Sequence, residues 1–123
     1  MGFTNLQVRV SSTSDRDRRE DMTMLVDSGA LYSVVPSEVL ARLGVAPDRT
    51  EAFTLADGTA IRRRIGSAGF EIDGRWAASN VIFGRRGDHA LLGVVTLEEL
   101  GFTLDPIPRR LKPLHMRLGA VVG

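Results

Sequence analysis

The sequence predicts an all-β domain carrying one or two short helices. Short segments alternate apolar and polar residues, the period of a half-buried strand. Thirteen glycines are spread along the chain. Asp-Gly occurs twice between such segments, at Asp57-Gly58 and Asp73-Gly74. That pair favours tight hairpins, because both central positions of the turn can need positive φ.

The elements follow in order. Residues Phe3 to Val10 alternate and read as a strand, and the polar, charge-mixed stretch 11–21 reads as a solvated loop. "MTMLV" is a strand leading to Asp27, and "LYSVVP" is a second, ended by Pro36. "PSEVLARLG" predicts a short helix, with proline near its start, Glu38 in the first turn and Gly44 after the last. The two Asp-Gly hairpins come next, then the strand "SNVIF", the turn "GRRGD" and the short apolar strand "HALLG". "VTLEELG" predicts a second helix, with Thr96 as cap and Gly101 as stop. "FTLDP" is a strand ended by Pro106, and the tail beyond Asp105 can supply one more strand, broken at Pro113.

A length of 123 residues fits a single domain, 1–123. Apolar residues make up 43% and charged residues 25%, an ordinary globular balance whose core is modest at this size. Burial at a subunit interface would add to it. A net charge of +1 gives no argument for nucleic acid or for anionic lipid. Without cysteine there are no disulfides and no thiolate metal sites, and the redox compartment stays open. No apolar run approaches the roughly 20 residues of a membrane span, and the N-terminus lacks the apolar core of a signal peptide. A soluble, cytoplasmic protein is the default expectation.

Few residues are placed for chemistry. His89 and His115 are isolated, so no metal or other cofactor is expected, and they read as surface or interface residues. Ser28 is not in a GxSxG elbow. Arg62, Arg63 and Arg64 fall on a strand and point to alternate faces. With Arg85, Arg86, Arg109, Arg110 and Lys112 they read as solvated surface, since one Trp and one Tyr offer little for base stacking. Trp76, after an Asp-Gly turn, reads as core or interface. Asp27 is different. It sits between an apolar strand and a Ser-Gly turn, where a lone buried carboxylate would be costly. It is either a turn residue or one member of a carboxylate pair, in which one group takes a proton from water while the other donates to a carbonyl oxygen. The chain holds no second Asp-Ser/Thr-Gly, so the partner would be Asp27 of a second copy across a two-fold axis.

"LVDSGALYSVVP" resembles the active-site segment of the retropepsin-like (retroviral-type) aspartic proteases. The Asp-Gly hairpin at 53–65 stands where that family has its flap, and "ALLGVVTLEELGFTLD" resembles its two-hydrophobics-then-glycine motif with the following helix and strand. The three motifs in order span residues 3–105 and leave the 106–123 tail unexplained, a candidate interface strand. The resemblance implies a single-lobed, closed acid-protease β-barrel, active as a homodimer on peptide substrates. Asp27 would be catalytic. Ser28 would brace the loop against its counterpart, Gly29 would admit the substrate backbone, and Ala30 would keep the subsite floor small. Leu91, Leu92 and Gly93 would pack beneath the loop, and Asp57 and Gly58 would form the flap tip. Viral members usually carry an acidic residue where Leu31 stands and an arginine where Val94 stands, a pair that supports their dimer. Its joint replacement by apolar residues, with a less glycine-rich flap, motivates the alternative of a retropepsin-like dimerisation or peptide-binding module with little catalysis.

Overall fold

The first two strands form a hairpin whose inner face supplies much of the core. The computed structural model describes residues 4–105 and 110–119. β1 (Thr4–Ser11) and β2 (Arg19–Val26) pair antiparallel, from Thr4↔Val26 to Ser11↔Arg19. Val8, Val10, Met24 and Val26 point inward and are buried. β2 begins within the stretch read from sequence as loop. Its charges do not oppose the strand, because they lie toward solvent and pair there: Arg9 with Asp21 at 2.8 Å, Arg42 with Glu20 at 3.0 Å. Phe3, expected to open the first strand, lies outside the described residues.

β3 (Ser33–Pro36) runs into α1 (Ser37–Arg42), which Gly44 stops at φ 77°. β4 (Arg49–Thr54), β5 (Ala60–Ile72) and β6 (Arg75–Gly84) then form consecutive antiparallel pairs. The two Asp-Gly turns differ. At Asp73-Gly74 both residues take positive φ, 51° and 79°, the tight two-residue turn the sequence predicts. At Asp57-Gly58 only Gly58 does, at 87°. There Gly58 N–H donates to the Leu55 carbonyl and Leu55 N–H to that of Thr59, so the tip is wider. Asp57 instead accepts Thr59 N–H on its carboxylate at 2.9 Å.

β7 is only Leu91–Leu92, shorter than "HALLG" suggested. α2 (Val94–Glu99) follows, then β8 (Phe102–Asp105) and β9 (Arg110–Pro113), which pair in a separate two-stranded sheet. Thr96 is not the cap of α2. Gly93 takes that position with extended backbone, and Thr96 is one turn further in and fully buried. Pro106 and Arg109 lie outside the described residues; the tail does supply a strand, which ends at Pro113.

The main sheet has the order β1-β2-β7-β3-β6-β5-β4, and β1 also pairs with β5 through Arg9↔Glu71 to Ser11↔Gly69. β1, β2, β7, β3, β6 and β5 therefore close a ring, with Phe70, Val81, Phe83, Leu92 and Val35 inside it. Leu97, Leu100 and Phe102 extend this core. β4 hangs outside the ring on β5. Trp76 is half-buried: its ring N–H donates to Ser11 Oγ at 3.2 Å, and the Arg16 guanidinium stacks on it at 4.3 Å. No helix among the described residues is long and apolar enough to cross a membrane.

Candidate active site

Asp27 owes its position to the insertion of β7 between β2 and β3. β7 runs parallel to β2, with Leu25↔Leu91 and Val26↔Leu92, and its other edge meets β3 at Val34↔Leu91. The chain leaves β2 at Val26, crosses the end of β7 as residues 27–32, and returns as β3. The leucines of β7 suit a strand flanked on both sides, and Leu92 is fully buried.

Hydrogen bonds fix the crossing loop at both ends. Asp27 N–H donates to the Leu92 carbonyl at 3.1 Å, and Ala30 N–H to the Asp27 carbonyl at 3.1 Å. On the far side, Val94 N–H donates to the Ala30 carbonyl at 2.9 Å and Val95 N–H to that of Leu31 at 3.0 Å. The Asp27 carboxylate bends back over its own turn, where Oδ1 accepts Gly29 N–H at 2.9 Å. This is the local bond by which Asp stabilises a turn. Asp27 and Ala30 are half-buried, whereas Ser28 and Gly29 are exposed. The group is thus anchored below and open above.

Gly93 lets α2 come this close. A Cβ there would lie 2.6 Å from the Tyr32 carbonyl carbon and 2.7 Å from the carbonyl oxygens of Leu31 and Tyr32, closer than atoms pack. Its N–H donates to Ser33 Oγ at 2.9 Å. Ser33 Oγ lies 2.6 Å from Thr96 Oγ1, which lies 3.0 Å from Ser79 Oγ. These hydroxyls, all buried, join β3, α2 and β6 beneath the loop.

The structure therefore brings together Asp27, Ser28, Gly29 and Ala30 with Leu91, Leu92 and Gly93. Asp57 and Gly58 stand apart and exposed, at the tip of the β4–β5 ribbon. Arg63 on that ribbon departs from the solvated reading of the arginines. Its Nε donates to Asp88 Oδ2 at 2.8 Å, and the guanidinium hydrogen bond holds the Asp88 carboxyl below the usual carboxylate range against the opposing effect of burial. Arg62, Arg64, Arg85, Arg86, Arg110 and Lys112 are exposed, as are His89 and His115. Among the described residues no three His, Cys, Asp or Glu side chains stand together as a metal site. Sequence reasoning missed Ser33, Thr96 and Ser79. The one available signal was a serine at an inward position of an apolar strand.

The sequence matches the family model described as gag-polyprotein putative aspartyl protease over residues 17–99. No curated protein matches it in sequence. Among solved structures, the fold superposes on the EIAV protease complexed with the inhibitor HBY-793 with a TM-score of 0.60 at 18% identity, covering 85% of this chain and 93% of that one. The solution structure of the Simian Foamy Virus (mac) protease gives 0.55 at 20% identity, over 77% and 92%. A retropepsin-like aspartic protease from Rickettsia conorii gives 0.50 at 16% identity, over 85% and 89%. At such identities the likeness is one of fold, and the closed ring with its two short helices is the retropepsin fold.

Proposed function

The chain belongs to the gag-polyprotein aspartyl protease family, and from that premise we propose that it is a homodimeric aspartic endopeptidase in which each copy supplies one Asp27. The anchored loop carries this reading. It holds a single carboxylate at the open end of a hydrogen-bonded turn, in a sequence with one Asp-Ser-Gly. Two observations favour a second copy as its complement. Leu31 is 60% exposed beside the loop, and Leu55 is 44% exposed at the ribbon tip. Large apolar side chains so placed suit an interface between copies. The β8–β9 hairpin, with Met116 65% and Leu118 74% exposed in the chain that follows it, extends that interface in this reading.

Two carboxyls brought into contact cannot both ionise easily, so the pair holds one proton. The ionised Asp27 takes a proton from a water between them. That water's oxygen attacks the peptide carbonyl, and the protonated Asp27 donates to the carbonyl oxygen. Collapse of the tetrahedral intermediate breaks the C–N bond as a proton passes to the leaving nitrogen. Gly29 leaves room for an extended substrate backbone, hydrogen-bonded as an added strand. Ser28 braces one loop against the other, and Leu91, Leu92 and Gly93 support them from below. The β4–β5 ribbon, with Asp57 and Gly58 at its tip, closes over the peptide and excludes water.

The test is cleavage of a diverse peptide library across pH by the parent protein beside Asp27→Asn, with sedimentation of both. The parent should cleave without added metal and sediment as a dimer, and Asp27→Asn should keep fold and dimer but lose turnover. Equal cleavage by the two proteins would refute the assignment. A dimer that binds peptide without cutting would leave the binding-module reading, which the apolar Leu31 and Val94 motivate.

A further inference from the structure

The β4–β5 ribbon is held to the barrel on one side. β5 pairs with β6 only from Ile65↔Ile82 onward, so from Arg64 to the tip its ladder is with β4 alone. At the root, Asp48 N–H donates to the Ile65 carbonyl at 2.8 Å. A two-stranded ribbon by itself is marginal in water, so its attitude depends on what grips it. Ile61, Arg63 and Ile65 share one face with their β4 partners Phe53, Glu51 and Arg49. Ile65 is in the core and Ile61 and Arg63 are half-buried, whereas Arg62 and Arg64 are exposed, so Arg63 lies on the barrel side.

There it meets Asp88 in a two-pronged pair, Nε to Oδ2 at 2.8 Å and Nη2 to Oδ1 at 3.0 Å. Parallel bonds of this kind fix orientation as well as supplying energy. The Asp88 carboxylate is itself set in place, because Oδ2 also accepts Arg85 N–H at 2.8 Å. With side chains 14% and 26% exposed, this ion pair is less exposed than those of Arg9, Arg42 and Arg49. The turn bearing Asp88 leads directly into Leu91–Leu92, the strand beneath Asp27. One connection thus grips the ribbon and supports the loop.

We propose that Arg63 and Asp88 are positioning residues, whose ion pair sets the height of the ribbon above the Asp27 loop and so the cleft open to a peptide. The consequence for catalysis rests on the protease reading; the mechanical tether does not. A ribbon already held near its closed attitude costs less to order when peptide binds. Losing the pair raises KM and spares kcat, since the Asp27 loop keeps its own bonds to Leu92, Val94 and Val95.

The test compares the full-length parent with Asp88→Asn, Arg63→Gln and Arg63→Lys. Amide hydrogen exchange is followed in residues 50–60 and, as an internal control, in 68–72. Exchange in the ribbon should quicken about three- to tenfold in Asp88→Asn and Arg63→Gln, with the control unchanged and Arg63→Lys intermediate. KM for a cleaved peptide should rise by a similar factor while kcat stays within about twofold. Unchanged ribbon exchange in Asp88→Asn overturns the proposal, whether or not the parent cleaves. So does a fall in kcat at constant KM, or an Arg63→Lys as loose as Arg63→Gln, which would assign the effect to packing. An inactive parent whose ribbon still responds in the stated order refutes the protease reading and upholds the tether.

Discussion

The hydroxyls of Ser33 and Thr96 stand 2.6 Å apart, both fully buried, and join β3 to α2 directly beneath the Asp27 loop. Ser33 accepts the Gly93 amide and Thr96 reaches Ser79, so a single hydroxyl serves two neighbours. Thr96→Val keeps the shape and removes the bonds. Stability to urea should fall by about 1–3 kcal/mol, the cost of leaving buried polar groups unmet. If the network also holds the loop in register, kcat falls with it. A variant as stable as the parent would show the network to be dispensable.

Gly93→Ala tests the closeness of α2 to the loop. The added methyl meets backbone on two sides, Tyr32 and Leu31, and neither is a flexible side-chain end. The loop or the helix must move. We expect a loss of about 3 kcal/mol or more, or failure to accumulate folded protein. Gly29→Ala is the milder comparison, because a Cβ there meets only the Asp27 Oδ1 side-chain oxygen at 3.3 Å, a tight contact that a small shift of that carboxylate relieves. It should fold as well as the parent.

Leu31→Glu tests the proposed assembly. Leu31 is 60% exposed in the single chain, so the fold should tolerate the change within about 0.5 kcal/mol. At a two-fold interface the same change sets carboxylates against each other in an apolar contact. Self-association by sedimentation should weaken about tenfold or more. An unchanged dimer would move the interface away from this loop.

The pH dependence of the tether has a definite sign. The Arg63 hydrogen bond, and after it the Arg85 N–H, hold the Asp88 carboxyl low against the opposing effect of desolvation. Its folded value lies below the unfolded one of about 3.9. The stabilisation is therefore complete above that value and fades as pH falls through the lower, folded one. The Tm difference between parent and Asp88→Asn should be constant from about pH 7 to 5 and close only below about pH 4. Glu20 beside Arg42 and Asp21 beside Arg9 are lowered in the same direction.

What the sequence disclosed was local order. The strand around Val8 follows from alternation, that around Val35 from its apolar, β-branched run and that around Phe70 from its Asp-Gly turn, and Gly44 and Gly101 end their helices as expected, at φ 77° and 83°. The loop motif around Asp27 and the "LLG" that supports it were also legible, because each is a contiguous string. Pairings at a distance were not. Thr96 carries the local chemistry of a cap, and only the approach of Ser33 and Ser79 makes it a core hydroxyl. Arg63 reads as one of three surface arginines until Asp88 is seen beside it. Charges at 19–21 hid the start of β2, since the sequence does not reveal that Arg9 and Arg42 answer two of them. The two Asp-Gly turns show the same limit, because Asp73 adopts positive φ and Asp57 does not.

On the ribosome, Asp27 emerges long before Leu92. Until Leu92 follows, the Asp27 amide has no carbonyl to bind, and β2 and β3 have nothing between them. Contacts so distant in sequence form late in folding. A growing chain therefore carries Asp27 well before the carbonyl that anchors its amide exists. The loop's anchor becomes available only once the residues up to Leu92 have been made, a delay written into the strand order that places β7 beside β2.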